Sequence, residues 1–172
     1  GGTIVVGIGG TAQNTTLSGG FFDSETATQN VSGGTASNTV VGYRGFEYIQ
    51  SGGVASGTLV QSGGSQCAAS GGTAYGTIVS GGFLSAYGGA ISGAVIHDGS
   101  GQIFGTVQDM TLHSGYVWFR TGCIADGVTV SGGRVETSNA EIHNLTIHSG
   151  GTGTIGAGTL YDTKLLGGNV SI

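Results

Sequence analysis

The side chains of this chain best placed for chemistry are hydroxyls. Ser51, Ser62, Ser70, Ser80, Ser131 and Ser149 each stand directly before a Gly-Gly pair. Glycine adopts positive φ without steric cost, so such pairs mark tight corners. Hydroxyls at corners are open to a modifying enzyme that attaches a sugar. Serine is also an ordinary turn former, and the pattern alone leaves both readings open. Imidazoles form a second set. His97, His113 and His148 each follow an aliphatic residue at the same place in a recurring unit. Two rings on neighbouring units would offer a surface metal site or a protonation switch. Zinc needs a third ligand of defined geometry, and none is evident, so no metal is expected and His97 and His113 are only weak candidates.

What must position these groups is a repeat. Cores read ThrThrLeu at 15–17, ThrValVal at 39–41, ThrLeuVal at 58–60, ThrIleVal at 77–79, AlaValIle at 94–96, MetThrLeu at 110–112, ValThrVal at 128–130, LeuThrIle at 145–147 and ThrLysLeu at 163–165. After a first interval of 24 residues, the starts lie 16 to 19 apart. Each core is preceded by a small or turn-forming residue: Asn14, Asn38, Gly57, Gly76, Gly93, Asp109, Gly127, Asn144 and Asp162. A fixed period near 20 residues is the signature of stacked repeats. The expected fold is all-β: a parallel β-helix of about nine rungs, one repeat domain over 1–172, starting and stopping in mid-pattern as if cut from a longer solenoid.

Composition supports this and excludes alternatives. There are 39 Gly and no Pro, and charged residues make up 8% against about 25% in ordinary domains. Aliphatic residues at fixed places argue against disorder. A net charge of -5 lacks the basic footprint of a nucleic-acid binder and does not suit an anionic membrane. No apolar run reaches the ~18 residues of a membrane span. Cys67 and Cys123 fall about three rungs, or roughly 14 Å, apart. That is beyond disulfide reach, so two free thiols are expected.

Period-two alternation assigns faces. The last core position, Leu17 through Leu165, and the first should point inward. A second strand follows the glycine corner at 21–24, 45–48, 83–86, 116–119, 134–137 and 169–172, with Phe22, Phe46, Leu84, Val117, Val135 and Val170 inward. Asp23, Glu47, Ser85, Trp118, Glu136 and Ser171 are expected outward. A third piece, such as 33–37 or 52–56, is a short strand or only a turn. Extra residues around Glu25–Val31 are expected to form an outward loop. The middle core position would then place Val40, Leu59, Ile78 and Val95 side by side outside, as an apolar interaction stripe. A one-residue slip would bury them instead.

The units SGGVASGTLVQSGG and SGGTAYGTIVSGG, with SGGTASNTVV at 32–41, closely resemble the passenger repeats of AIDA-like self-associating autotransporters. The likeness is strong over about 32–82 and looser beyond. It implies a right-handed parallel β-helix on the bacterial surface, acting in adhesion and cell–cell aggregation. The implied partners are copies of itself on neighbouring cells and host surface receptors. Some members carry heptoses on Ser and Thr, added by a dedicated heptosyltransferase, which makes such an enzyme a further implied partner. No cofactor is implied. Two other readings remain. In a carbohydrate-active β-helix enzyme, clustered carboxylates with a basic residue would line a cleft; Asp98, Asp109, Asp126 and Asp162 instead fall in turns, where Asp is favoured, and no catalytic residue is expected. A phage-type or surface-layer solenoid would be trimeric. Trp118 with Tyr116 and Arg120 is either a sugar-stacking patch or a mixed outer face. GlyIleGlyGly at 7–10 mimics a nucleotide loop but precedes no helix, and 150–158 lacks the Asp of calcium-binding nonapeptides.

Overall fold

A computed structural model describes residues 1–20 and 25–172. Each turn holds three short strands, and the ladder pairings between turns are parallel. The first face carries nine stations, from Thr16–Leu17 to Lys164–Leu166, hence eight turns between them. The second face includes Ala27–Ser32, Gly45–Gln50, Ser65–Ala69 and Tyr116–Phe119. The third piece proves to be a strand, as in Thr35–Ser37, Val54–Ser56 and Thr73–Tyr75. The chain is a right-handed parallel β-helix.

Corner chemistry sets the turns. All nine residues preceding the cores have positive φ, from 51° at Asp162 to 71° at Gly127. In this left-handed region an L side chain normally crowds the following carbonyl, and only Gly, Asn and Asp visit it routinely. Replacing Asn38 by Ala is therefore expected to destabilise by about 1–2 kcal/mol. Asn38→Gly should be close to neutral in thermal denaturation, because the equivalent corners at 57 and 76 already use Gly.

Inside, Leu17, Val41, Val60, Val79, Ile96, Leu112, Val130 and Ile147 form one stacked, buried file. Leu165, expected to complete it, is 52% exposed. On the third face Ala36, Ala55 and Ala74 point inward, followed by Ile91, Val107, Ala125 and Ile142.

The second face corrects three expectations. The 21–24 strand, with Phe22 and Asp23, lies outside the described residues. The segment expected to loop out over Glu25–Val31 instead contributes the strand Ala27–Ser32, with Gln29 and Val31 fully buried. The additional residues of the long first repeat fall between Leu17 and Ala27. Phe46 and Glu47 are also reversed: Glu47 is fully buried, and Phe46 stands outside, stacked on Tyr48 at 5.8 Å. Alternation runs from Gly45 through Glu47 to Ile49, all buried, and Gly45 must be glycine there because a Cβ would meet the Leu17 carbonyl oxygen at 2.5 Å. Ser85, expected to be exposed, lies in the outer file but is almost covered.

Glu47 belongs to a polar ladder running through the first half of the interior. Gln29, Glu47 and Gln66 are register partners on successive turns. Thr39, Thr58 and Thr77 face them across the core, all buried. The Thr58 hydroxyl donates to Glu47 Oε2 at 2.8 Å, Gln66 Nε2 donates to the same oxygen at 2.7 Å, and the Thr77 hydroxyl donates to Gln66 Oε1 at 2.7 Å. From Leu84 onward the same file turns apolar, through Gly101 to Val117 and Val135, and the opposing positions become Ala94, Met110, Val128 and Leu145. Both sides of the core change character at the same turn, as buried polar groups require partners.

Candidate functional site: serine corners and outward files

The six serines are divided between two edges of the solenoid. Ser62, Ser80, Ser131 and Ser149 occupy the corner between the first and second faces; Ser51 and Ser70 occupy the corner between the second and third. Five are exposed and Ser131 is half-buried. The hydroxyls of Ser51, Ser62 and Ser70 lie against a glycine one turn on. A Cβ at Gly71 would lie 3.2 Å from Ser51 Oγ, and one at Gly81 would lie 2.3 Å from Ser62 Oγ. At these two positions the first glycine of the pair supplies positive φ, 74° at Gly71 and 87° at Gly81, and also room for the hydroxyl of the preceding turn. Ser131 differs from the rest: its Oγ is 2.9 Å from His113 Nδ1.

Val40, Leu59, Ile78 and Val95 are consecutive register partners on the outside of the first face. Their flanking residues Val41, Val60, Val79 and Ile96 are fully buried, which rules out the one-residue slip. Ile78 is 42% exposed and the other three are half-buried. Beyond Val95 the file continues as Thr111, Thr129, Thr146 and Lys164, so the apolar stripe ends at the turn after Val95.

His97 and His113 stack with centroids 5.1 Å apart and planes 7° from parallel. Stacked rings direct their nitrogens alongside each other instead of toward one ion. Among the described residues, no three His, Cys, Asp or Glu side chains gather as a metal site. The carboxylates are also dispersed. A shallow groove of about 290 Å³ on the third face, bounded by Tyr75, Ser92, Gln108 and Ile124, contains only Asp126, which accepts from Asn144 Nδ2 at 2.8 Å. A second groove, beside Asn139 and Thr159, contains only Glu141.

Both cysteines are free and buried. Burial pushes the Cys123 thiol up to about 12; it also raises Cys67, partly offset by a hydrogen bond from Ser85. Neither thiol is a nucleophile at neutral pH. Tyr116 is raised to about 12, first by burial and then by Glu136, which accepts from its hydroxyl at 2.9 Å.

The coil has a solved counterpart. It is a crystal structure of a fragment of TibA hyper-glycosylated in a reaction catalysed by TibC, matching with a TM-score of 0.54 over 98% of this chain and 90% of that one. At 23% identity, the likeness to the TibA fragment shows that the two share a fold. Comparison of the sequence with protein-family models and with curated proteins returns no match. The buried Glu47 ladder was missed from sequence, although Ile49 two residues downstream signals its inward phase. The files around Arg120 were missed in part, because their members come from three different turns.

Proposed function

We propose that this chain is a rigid adhesive segment of a bacterial surface autotransporter passenger, displayed outside the cell and modified by O-heptosylation at its corner serines. The observation that carries this reading is the pair of edge files of hydroxyls, five of the six exposed, with those of Ser51, Ser62 and Ser70 set against a glycine one turn on. The passenger-like repeats and the fold shared with a TibA fragment hyper-glycosylated by TibC support it. The scaffold supplies stiffness and regular spacing, and the ligands of such a scaffold are set by side chains on its faces. The Val40–Val95 stripe would bury itself against a second copy, giving side-to-side association between cells. The segment is not an enzyme in this reading; grooves with one carboxylate each fall short of the paired acids that glycoside hydrolysis uses.

Two measurements test the proposal. Co-expression with a passenger heptosyltransferase should add mass in steps of about 192 Da, with peptide mapping placing the sugars on Ser51, Ser62, Ser70, Ser80 and Ser149; an unchanged intact mass removes the modification. Leu59→Lys with Ile78→Lys should reduce aggregation of cells displaying the chain while leaving the fold intact by circular dichroism. Undiminished aggregation rules out the stripe. A stable trimer of the purified chain in sedimentation would favour the phage-type solenoid instead.

A further inference from the structure

We infer that the second face carries a binding site for an acidic sugar, a uronic or sialic acid residue of a glycan, assembled around Arg120. Tyr87, Phe104 and Arg120 follow one another on adjacent turns. The Phe104 N–H donates to the Ala86 carbonyl and the Arg120 N–H to the Ile103 carbonyl, both at 2.8 Å. Gln102 and Trp118 form the neighbouring outward file as register partners. The Tyr87 and Phe104 rings stack at 5.2 Å and 20°, with Tyr87 49% exposed. The Arg120 guanidinium lies 3.6 Å from the centroid of Trp118 and 5.3 Å from that of Phe104.

A guanidinium held against two rings is fixed in orientation but keeps its N–H groups for an acceptor. Among the described residues, no carboxylate supplies one. Glu136, one turn beyond Trp118, is engaged by the Tyr116 hydroxyl at 2.9 Å and by Arg134 at 3.3 Å. A further group supports this: Tyr87 donates to Gln102 Oε1 at 3.3 Å, leaving the Gln102 amide donors for another acceptor. The cluster therefore offers one exposed aromatic ring, Tyr87, in the same file as a preoriented fork of donors. A pyranose packs its C–H face on such a ring, and a carboxylate takes the fork through two parallel hydrogen bonds. A neutral sugar leaves the fork unfilled, and a bare carboxylate leaves the ring uncovered; an acidic sugar fills both.

The site names one partner chemistry for the adhesive reading, and its test is independent of that reading, since it is made on purified protein and adhesion is read on cells. Trp118 is the chain's single tryptophan, so its emission reports on the site directly. Trigalacturonate and 3′-sialyllactose are titrated against the wild type, alongside the methyl ester of trigalacturonate and sodium acetate. The expected result is a saturable emission change with at least one acidic saccharide in the millimolar range. The galacturonate ester and acetate, and the acidic saccharides against Arg120→Gln, should all be weaker by about tenfold or more. Comparable affinity for the ester and the acid, or for acetate, overturns the inference. So does silence of the wild type with both acidic saccharides. The ester comparison is made on unaltered protein and does not depend on how the variant folds.

Discussion

Glu47→Gln raises the stability of this β-helix at neutral pH by about 1–2 kcal/mol, on the scale set for a buried polar group left without a partner, or a few degrees in melting temperature. The carboxyl is fully buried. Burial raises its pKa above the ordinary 4.5, against the opposing hydrogen bonds from Gln66, Thr58 and Thr39. Glu47 Oε1 has no partner, nor does Nε2 of its register neighbour Gln29. The sign follows from linkage. An acid whose folded pKa exceeds its unfolded one binds its proton more tightly when folded. The folded state is thus favoured below about 4.5, and that advantage is lost as pH rises from there through the raised folded value. Glutamine keeps the acceptor for Thr58 and Gln66 and carries no charge. The two proteins should therefore melt alike below about pH 4 and diverge as pH rises, the variant being the more stable. Glu47→Leu should instead fall below the wild type, because Thr58 and Gln66 then lose their acceptor. Melting curves of the three proteins between about pH 3 and 8 decide this; a constant gap between the wild type and Glu47→Gln across that range would show that the carboxyl is already solvated.

Phe119→Ala is expected to be the most damaging single truncation, at about 3–5 kcal/mol, or roughly 10 °C in melting temperature. Among the described residues Phe119 is the largest fully buried side chain, and it sits in register between Ile103 and Thr137. The stiff strands on either side carry ladder hydrogen bonds to neighbouring turns, so they cannot collapse into the cavity. A solenoid is held by contacts between adjacent repeats only. Hydrogen exchange should therefore accelerate first in the turns flanking Phe119, while the amides of Val41 and Val60 keep their protection. Phe119→Leu should recover most of the loss. A destabilisation below about 1 kcal/mol would mean that this layer repacks freely.

These two positions separate what could be read along the chain from what could not. The nine Gly, Asn and Asp residues before the cores were recognisable as corners because the left-handed region admits almost nothing else, and all nine have positive φ. The aliphatic file from Leu17 to Ile147 was equally legible, since a position buried on every turn must be apolar on every turn. Phe46 and Glu47 were read the wrong way round, because hydrophobicity assigns a phenylalanine inward and a glutamate outward. The correct phase is set by the Gly45 contact with the Leu17 carbonyl, by buried Ile49, and by Thr58 and Gln66 arriving from the following turn.

By itself, then, the order of residues determined the coil and its period, because both depend on steric and hydrophobic rules that act within one repeat, whereas the outward direction of Val40 to Val95 was settled by the burial of their neighbours Val41, Val60, Val79 and Ile96. The tertiary structure alone decided which serines share an edge, that Ala27–Ser32 pairs as a strand, that a carboxyl lies in the core, and that Arg120 rests on Trp118 beside Phe104. Those outcomes depend on which residues of different turns fall at the same height, and that alignment is set by the stacking of the whole coil.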